Sequence, residues 1–289
     1  SEEQTEEALT GKGQIVEMAG PGNRLLEISL QISKAQTVSE ILYVRDVTYE
    51  VEVSRIKSEF LSTAAHELRT PMSSIYGYSE MLLAKRFSDE RQREFHEIIH
   101  KQAELVSEIL NELLDLQRIE SRRGKDFVFN RLNISDLITD TINMYKVPAG
   151  RSVPKLNLPK QQLFIRADYS KMIQVFNNVL SNAYKYSPQG GDVEIKVWAS
   201  RKADKKNLLG IEIKDHGIGM TKQQLARVCE RFYRADTSGV LPGTGLGMSI
   251  VKEIVELHCG NVTIDSEHGK GTRVTIWLPL DTKAEGASD

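Results

Sequence analysis

A histidine near the start of the chain has neighbours of the types that covalent chemistry requires. The segment reads Phe60-Leu-Ser-Thr-Ala-Ala-His66-Glu67-Leu-Arg-Thr70-Pro71. A neutral imidazole is a competent nucleophile near neutral pH. The Glu67 carboxylate can fix the ring tautomer and support the developing positive charge, and Thr70, one helical turn on, can position a water for hydrolysis. The segment predicts that His66 carries a group covalently. The alternative is a polar residue on a solvated helix face.

A second group of polar residues lies on a predicted helix, Asn177-Asn178-Val-Leu-Ser-Asn182-Ala-Tyr-Lys185-Tyr186-Ser187. Asn178, Asn182 and Lys185 follow one another at helical spacing and share a face. Amide oxygens are hard, neutral ligands that suit Mg²⁺, and Asn182 is the first choice as ligand. Lys185 can meet a phosphate, and Tyr186 can cover a nucleotide. Alone, such a helix is more often an exposed face.

An acidic residue followed by two glycines comes directly after a predicted strand, in Asp215-His216-Gly217-Ile218-Gly219-Met220. A carboxylate at a strand end can accept a hydrogen bond from the exocyclic amine of adenine. Gly217 and Gly219 would let the backbone approach the ring. In isolation this pattern is a turn more often than a binding site.

A glycine-rich run, Gly243-Thr244-Gly245-Leu246-Gly247-Met248, opens another predicted helix. Backbone amides at a helix N-terminus cradle phosphates well. The segment before it predicts a mobile lid, in which Arg231 or Arg234 could supply positive charge to a transferring phosphate. Phe232 lies between these arginines.

Two amphipathic helices must position the histidine. The first has apolar or small residues in steps of four and three, and the second begins after Ser88, a predicted N-cap. The two stripes are Leu61, Ala65, Leu68, Met72, Ile75 and Leu82, and then Phe95, Ile98, Gln102, Leu105, Ile109, Leu113 and Leu116. Both stripes are buried most simply by pairing with a second copy, so we expect a homodimer with a four-helix bundle. The other possibility is an ordinary hairpin packed on another domain.

The rest of the chain predicts a β-rich N-terminal stretch and a mixed α/β C-terminal part. Strand-like runs occupy 14–18, 24–32 and 39–44, then 193–199, 209–213 and 273–278. Helices are predicted at 134–145, 169–186, 222–229 and 248–258. No strand, glycine-rich turn and helix follow in the order of a Walker or Rossmann site, so a different nucleotide fold is needed.

The order of these motifs resembles that of the sensor histidine kinases of two-component systems, over about residues 50–280. The resemblance implies a multi-domain α+β protein: a dimeric four-helix bundle, with two helices per protomer, followed by an α/β sandwich ATP-binding domain of the Bergerat type. The expected domains are 1–47, a sensor fragment, 48–122, the phosphotransfer hairpin, and 123–283, the catalytic domain. Residues 44–48 resemble the exit of a PAS domain, and a generic β-meander is the alternative.

The resemblance also implies roles, residue by residue. His66 is similar to the phosphoacceptor, Glu67 to its assisting acid or base, and Thr70 to the residue that assists the phosphatase reaction. Asn178 and Asn182 match the Mg²⁺ site, and Asn178 is also a candidate catalytic residue, as is Arg234. The expected ATP-binding residues are Asn178, Asn182, Lys185, Tyr186, Asp215, Gly217, Gly219, Phe232, Gly243, Thr244, Gly245, Leu246 and Gly247.

The same resemblance implies autophosphorylation of His66 by ATP and transfer to an aspartate in the receiver domain of a separate response regulator. Two positions depart from the family pattern: His216, where asparagine or another small polar residue is frequent, and His258-Cys259-Gly260, where His-Gly-Gly is usual. Neither affects an expected chemical role.

Composition limits the possible partners and compartment. A net charge of −2 gives no general attraction to nucleic acid, and we expect no nucleic-acid partner. Cys229 and Cys259 lack metal-ligand spacing and fit a reducing compartment, so a cytoplasmic location is expected. No apolar run reaches the roughly 20 residues of a membrane span. The chain starts at Ser1 without a methionine, as a piece of a longer protein would. We therefore expect any membrane attachment to be made by a segment not in this chain.

Two other classes of protein deserve comparison. An ATP-dependent conformational machine with the same nucleotide fold gives no reason for His-Glu-Leu-Arg-Thr-Pro on a dimerising helix. A dimeric scaffold that binds nucleotide only for signalling is disfavoured because every expected catalytic residue is present.

Overall fold

The computed structural model describes residues 14–18, 23–33, 39–122, 124–201, 207–235 and 243–282. The chain divides into two compact units between His66 and Glu67. Residues 236–242, in the segment predicted as a lid, lie outside the described residues.

The first unit contains an antiparallel meander of β1 (Gln14–Met18), β2 (Arg24–Ser33) and β3 (Ser39–Asp46). The three predicted strand-like runs are confirmed, whereas the PAS interpretation stays a prediction. Helix α1 (Thr48–Ala84) begins immediately after β3. Thr48 Oγ1 donates to Asp46 Oδ1 at 2.5 Å and accepts from the Leu25 amide at 2.8 Å. These bonds satisfy polar groups at the helix start and fix it to the sheet.

Helix α2 (Asp89–Arg122) follows a short connection. Its predicted N-cap is confirmed, because Ser88 Oγ accepts from the Arg91 amide at 3.4 Å. The predicted stripe is also confirmed: its members are buried or half-buried, with Phe95, Ile109 and Leu116 fully covered. Phe95 packs against Tyr78 of α1, with ring centroids 5.2 Å apart.

The rest of the second unit is a layer of helices on a sheet. Five strands lie in the order β5 (Lys155–Asn157), β7 (Glu194–Arg201), β8 (Asn207–Lys214), β10 (Gly271–Pro279) and β9 (Asn261–Glu267). β5 pairs with β7 in parallel, and the other pairs are antiparallel. A separate antiparallel pair joins β4 (Phe129–Asn133) to β6 (Phe164–Asp168).

The core forms where one face of this sheet meets the helices. Alternation along the strands brings apolar side chains into rows across the sheet, as in Val197, Ile211 and Ile276. Helices α4 (Tyr169–Lys185) and α6 (Gly247–Leu257) contribute buried residues to the same core, such as Met172, Phe176 and Ile254. The remaining helices are α3 (Ile134–Met144) and α5 (Lys222–Arg227). All four helices predicted in this part are confirmed, with ends that differ by one or two residues.

Candidate functional site

One cavity of about 500 Å³ gathers residues from the asparagine-containing helix, the Asp215–Met220 segment and the glycine-rich run, although these are far apart in the sequence. It lies against α4, the end of β8, and the glycine-rich segment that opens α6. The predicted residues that line it are Asn178, Asn182, Lys185, Tyr186, Asp215, Gly219, Gly243, Thr244, Gly245 and Gly247. Its floor is apolar and includes Ile213, Ile264 and Val274. A polar rim around an apolar floor suits a ligand with an aromatic ring and a charged tail.

Helix α4 supplies the first wall because its two faces differ. One face is buried in the core, and the opposite face presents Asn178, Asn182 and Lys185 to the cavity. The helix start is fixed by Asp168, whose carboxylate accepts from the Lys171 amide at 3.1 Å and from Ser170 Oγ at 2.7 Å. Burial acts to raise the pKa of Asp168, but the hydrogen bonds that it accepts outweigh burial and lower the pKa.

Asp215 forms the second wall at the end of β8. Its Oδ1 accepts from the amides of Gly217 at 2.8 Å and Thr272 at 3.1 Å, which fixes the side chain. A Cβ on Gly217 would overlap the Tyr186 carbonyl, so only glycine allows this turn to close against α4. Burial raises the pKa of Asp215 despite these two hydrogen bonds. Since both bonds go to Oδ1, Oδ2 is the oxygen placed to accept a further donor.

The glycine-rich segment forms the third wall. Gly245 has a φ of 75°, and a Cβ there would clash with the backbone of Phe232. The lid segment can therefore pack against this loop only because residue 245 is glycine. Thr244 is 4% exposed, and its Oγ1 accepts from the Leu246 amide at 3.1 Å. Asn178 Nδ2 donates to the Gly247 carbonyl at 3.4 Å, which links the loop to α4.

Apart from the histidine segment, four residues of the predicted nucleotide site do not line the cavity. Gly217 supports it through the Asp215 carboxylate, and Leu246 is fully buried beneath the loop. Phe232 contacts Gly245 through its backbone and has a φ of 60°, which a non-glycine residue rarely adopts. Arg234 lies between Tyr233 and Ala235, which do line the cavity. The roles predicted for these four residues stay predictions.

Sequence reasoning missed several cavity residues. Thr272 comes from β10, and its amide supports Asp215. The sequence near it shows only a turn, Gly269-Lys270-Gly271, which does not indicate a binding site. Glu108 and Glu112 come from α2, where they look like ordinary acidic residues on a helix surface. Tyr145 and Pro148 follow α3. No spacing rule connects these positions to the motifs, because only the packing of distant elements brings them together.

Glu112 has the most unusual environment of the missed residues. Its carboxyl group accepts a hydrogen bond from Thr244 Oγ1, inside the glycine-rich loop. Burial raises the pKa of Glu112 to about 7, the bond from Thr244 and the charge of Lys185 oppose this, and Glu108 and Asp115 add to it. A carboxyl group of α2 is therefore held among the hydroxyl and ammonium groups of the cavity.

The histidine segment lies on α1, and His66 and Thr70 are exposed while Glu67 is half-buried. The predicted apolar stripe is only partly covered in the single chain. Among its members Leu61 is 57% and Met72 50% exposed. The adjacent Ala64, rather than Ala65, is buried.

The two departures from the family pattern have different surroundings. His216 is exposed and pairs with Glu194 at 3.2 Å. His258 is buried: its Nε2 accepts from the Asp168 amide at 3.0 Å, and its Nδ1 lies 2.7 Å from the Ile254 carbonyl. Cys259 has a φ of 56°, the left-handed conformation that glycine adopts most readily. The usual glycine at this position is thereby explained.

Comparison with known proteins identifies both the pair of long helices and the layered α/β part of the chain. Residues 167–282 match the family described as histidine kinase-, DNA gyrase B-, and HSP90-like ATPase. Residues 56–122 match the His Kinase A phospho-acceptor domain. An ATPase domain joined to a phosphoacceptor domain defines the class, and the chain belongs to the sensor histidine kinases of two-component systems.

Individual relatives agree with this assignment. The chain is 35% identical over 253 residues to sensor histidine kinase WalK of Bacillus subtilis strain 168, covering 85% of this chain and 40% of that protein. It is 34% identical over 254 residues to sensor protein kinase WalK of Staphylococcus aureus, covering 86% of this chain and 60% of that protein. The chain thus spans about half the length of these curated relatives.

Solved structures confirm the predicted fold class. The Acinetobacter baumannii histidine kinase AdeS aligns with a TM-score of 0.59 and 20% identity, covering 75% of this chain and 98% of that one. Full-length ShkA, solved in complex with AMPPNP, aligns with a TM-score of 0.56 and 22% identity, covering 78% of this chain and 46% of that one. At these identities the likeness supports the fold alone. Among the described residues, no helix is both long and apolar enough to cross a membrane.

Proposed function

We propose that this chain is a protein-histidine kinase that transfers the γ-phosphoryl group of ATP to His66. The phosphohistidine then passes the group to an aspartate in the receiver domain of a separate response regulator. The observation that carries the proposal is the cavity itself, in which Asn178, Asn182, Lys185 and Asp215 meet the glycine-rich loop. The phosphoacceptor match on the same chain gives the phosphoryl group a destination.

The adenine ring is proposed to lie on the apolar floor, with its exocyclic amine donating to Asp215. Tyr186 and the lid residue Phe232 then cover the nucleotide, and the backbone of Gly217 and Gly219 gives the ring space. A fixed acceptor discriminates adenine from guanine by hydrogen bonding, since guanine has a carbonyl oxygen where adenine has this amine. The hydrogen bonds that fix Asp215 support this role.

The phosphates are proposed to lie between Lys185 and the loop from Gly243 to Gly247, with Leu246 buried beneath it. The donor set fits Mg²⁺ as well, because the Nδ2 of Asn178 is used by Gly247 and its Oδ1 remains as an acceptor for a cation. Asn182 supplies a second amide oxygen. When bound, Mg²⁺ neutralises charge on the phosphate oxygens. Arg234 is proposed to add positive charge from the lid.

The acceptor chemistry is proposed for α1. An imidazole nitrogen of His66 forms a bond to the γ-phosphorus while the bond between that phosphorus and the bridging oxygen of ADP breaks. The ring proton passes to the Glu67 carboxylate or to water, and ADP leaves. In the opposing phosphatase reaction, Thr70 positions a water that removes the phosphoryl group from the regulator. Exposure of His66 is compatible with access by both ATP and a regulator.

The domain limits of 1–47, 48–122 and 123–283 remain our proposal, as does a homodimer formed by α1 and α2. The exposed apolar residues of these helices support the dimer. We also propose a cytoplasmic location, with any membrane attachment made by a segment outside this chain.

The test is incubation with γ-labelled ATP and Mg²⁺. We expect label that survives alkali but not acid, and that is lost in His66→Ala. His100→Ala is the matched control, because His100 is an exposed histidine of α2 outside the proposed chemistry, and it should keep the label. Label retained by His66→Ala, or absent from the unchanged protein, would contradict the proposal.

A further inference from the structure

One face of α2 packs against the ATP-binding part of the same unit. Leu116 and Ile119 are each 1% exposed and form the apolar centre of this face. Polar contacts surround them. Asp115 accepts from Gln174 Nε2 at 2.9 Å and lies 3.8 Å from Lys171 Nζ, and Glu120 forms an ion pair with Arg231. Asp115 and Ile119 lie four positions apart, as do Leu116 and Glu120, so these residues share one side of the helix.

Glu112 lies one turn before this apolar centre and reaches into the cavity. Its carboxyl group accepts from Thr244 Oγ1, and the positive charge of Lys185 is close enough to act on it. Lys185 Nζ in turn lies beside Gly243, at the first residue of the glycine-rich loop. Glu112 thus accepts from the loop hydroxyl and lies in the field of the Lys185 ammonium group, in the space that the proposed function assigns to the nucleotide phosphates.

A carboxylate and a phosphate compete for such groups because both are oxygen anions that accept from the same donors. The two cannot occupy one position. A phosphate placed near Glu112 would also meet the negative charges of Glu108 and Asp115 on the same helix. Like charges repel, so a triphosphate bound there requires α2 to withdraw.

We propose that Glu112 is an autoinhibitory residue: docking of α2 places its carboxyl group where nucleotide phosphates bind, and ATP must displace it. The inference rests on the proposed function, since it presupposes that the phosphates lie beside Thr244 and Lys185. The glutamate opposes the phosphates and leaves the adenine end open, where Asp215 is fixed by separate contacts. Docking therefore discriminates between nucleotides by their phosphates and not by their base.

Binding of two ligands tests this separation by calorimetry on the full chain with Mg²⁺. The first ligand is the β,γ-imido analogue of ATP, and the second is adenosine, which has the base but no phosphate. Glu112→Ala should bind the analogue about tenfold more tightly than the unchanged protein does, and adenosine should change by less than about twofold. The matched control is Glu97→Ala, an exposed glutamate on the same helix, which should change neither affinity.

A second variant protects the test against misfolding of the first. Glu120→Ala removes the ion pair to Arg231 without touching the cavity, so it should tighten binding of the analogue in the same direction, by about threefold. Unchanged or weaker binding of the analogue in Glu112→Ala would overturn the proposal, as would an equal gain for adenosine. If Glu112→Ala does not fold, unchanged binding in Glu120→Ala overturns it.

Failure of the proposed nucleotide site would give a different pattern. Asp215→Asn should weaken binding of both ligands, because the contact with the base is lost whether or not α2 is docked. If Asp215→Asn binds both ligands normally, the assigned adenine site is wrong. If it loses both while Glu112→Ala gains nothing, the site stands and only the autoinhibitory role is lost.

Discussion

His258 is held in a single protonation state by its surroundings. Its Nε2 accepts from the Asp168 amide and its Nδ1 faces the Ile254 carbonyl, so the ring must be neutral with its proton on Nδ1. The rings of Phe127 and Phe129 lie against it at 5.3 and 4.9 Å. Burial lowers the pKa of His258, although the bond to Ile254 and the charge of Asp168 oppose this. The histidine therefore joins the start of α4 to the end of α6.

This environment predicts a loss of stability in mild acid. The unfolded chain binds a proton at His258 more readily than the folded chain does, so the stabilisation is present above the ordinary pKa of 6.5 and is lost as pH falls through the lower folded value. His258→Gln should cost about 1–3 kcal/mol at neutral pH, through its buried hydrogen bonds. It should also flatten the fall in stability between about pH 7.5 and about pH 5.5, measured by urea unfolding.

The control for this prediction is His268→Gln, which removes an exposed histidine and should keep the pH dependence of the unchanged protein. Glu112 and Asp215 have raised pKa values and act in the opposite sense, since the stability that they contribute is present at low pH and is lost as pH rises. The difference between each variant and the unchanged protein isolates the histidine. An equally steep fall in His258→Gln would show that other groups cause it.

At the residue scale, the sequence predicted much of the cavity because three motifs carry recognisable chemistry. Asn178, Asp215 and Thr244 were identified in this way, and the structure brings them to one cavity. Glu112 and Thr272 were not identified. A glutamate on a helix surface is ordinary until another element packs against it, and which element does so depends on tertiary packing rather than on local spacing.

At the scale of elements, α1 and α2 leave an apolar surface that the single chain does not cover. Within the second unit, Met72, Tyr76 and Leu83 of α1 are 50%, 67% and 88% exposed, and Leu110 and Leu114 of α2 are 45% and 50% exposed. Exposed apolar residues on neighbouring helices indicate an interface, since scattered single ones would need no explanation. A second copy that pairs through these helices would bury them.

The dimer can be tested by placing a charge on this surface. Met72→Lys should weaken dimerisation by roughly a hundredfold or more, because an ammonium group without a partner would be buried between the copies. Light scattering after size-exclusion chromatography at micromolar concentration would then give a monomer. Leu156→Lys is the control, since Leu156 is 41% exposed on β5, and it should remain a dimer. Dimers of the same mass in both variants would exclude the proposed interface.

The sequence predicted these helices better than it predicted the sheet. Sustained apolar periodicity over long segments marked α1 and α2, and Ser88 marked the start of α2. Strands β4, β5, β6 and β9 were not among the predicted ones. β5 has only three residues, and β9 alternates between exposed and half-buried positions with only two apolar side chains, Val262 and Ile264, so neither offers the long apolar run of β8. The order of strands follows from pairing across the chain, which periodicity does not encode.

At the scale of the whole molecule, the contact of Glu112 with Thr244 couples two events that occur in different elements. If docking of α2 weakens binding of the phosphates, then binding of the phosphates must weaken docking by the same free energy. ATP would therefore do more than supply the phosphoryl group. By displacing Glu112 it would also release α2 from the cavity, so that the acceptor and donor parts could rearrange once the substrate is present.

This reciprocity predicts a change in the dynamics of α2. Amides between Glu108 and Glu120 should exchange hydrogen for deuterium roughly threefold faster or more when the β,γ-imido analogue of ATP and Mg²⁺ are bound, because a helix that loses its packing partner opens more often. Mass spectrometry of the peptides would measure this.

Adenosine should not cause the change, since it lacks the phosphates that displace Glu112. Glu112→Ala should exchange faster in this segment without ligand and respond little to the analogue. Slower exchange of the segment on binding the analogue would mean that nucleotide and α2 bind the cavity together, and the two would then cooperate rather than compete.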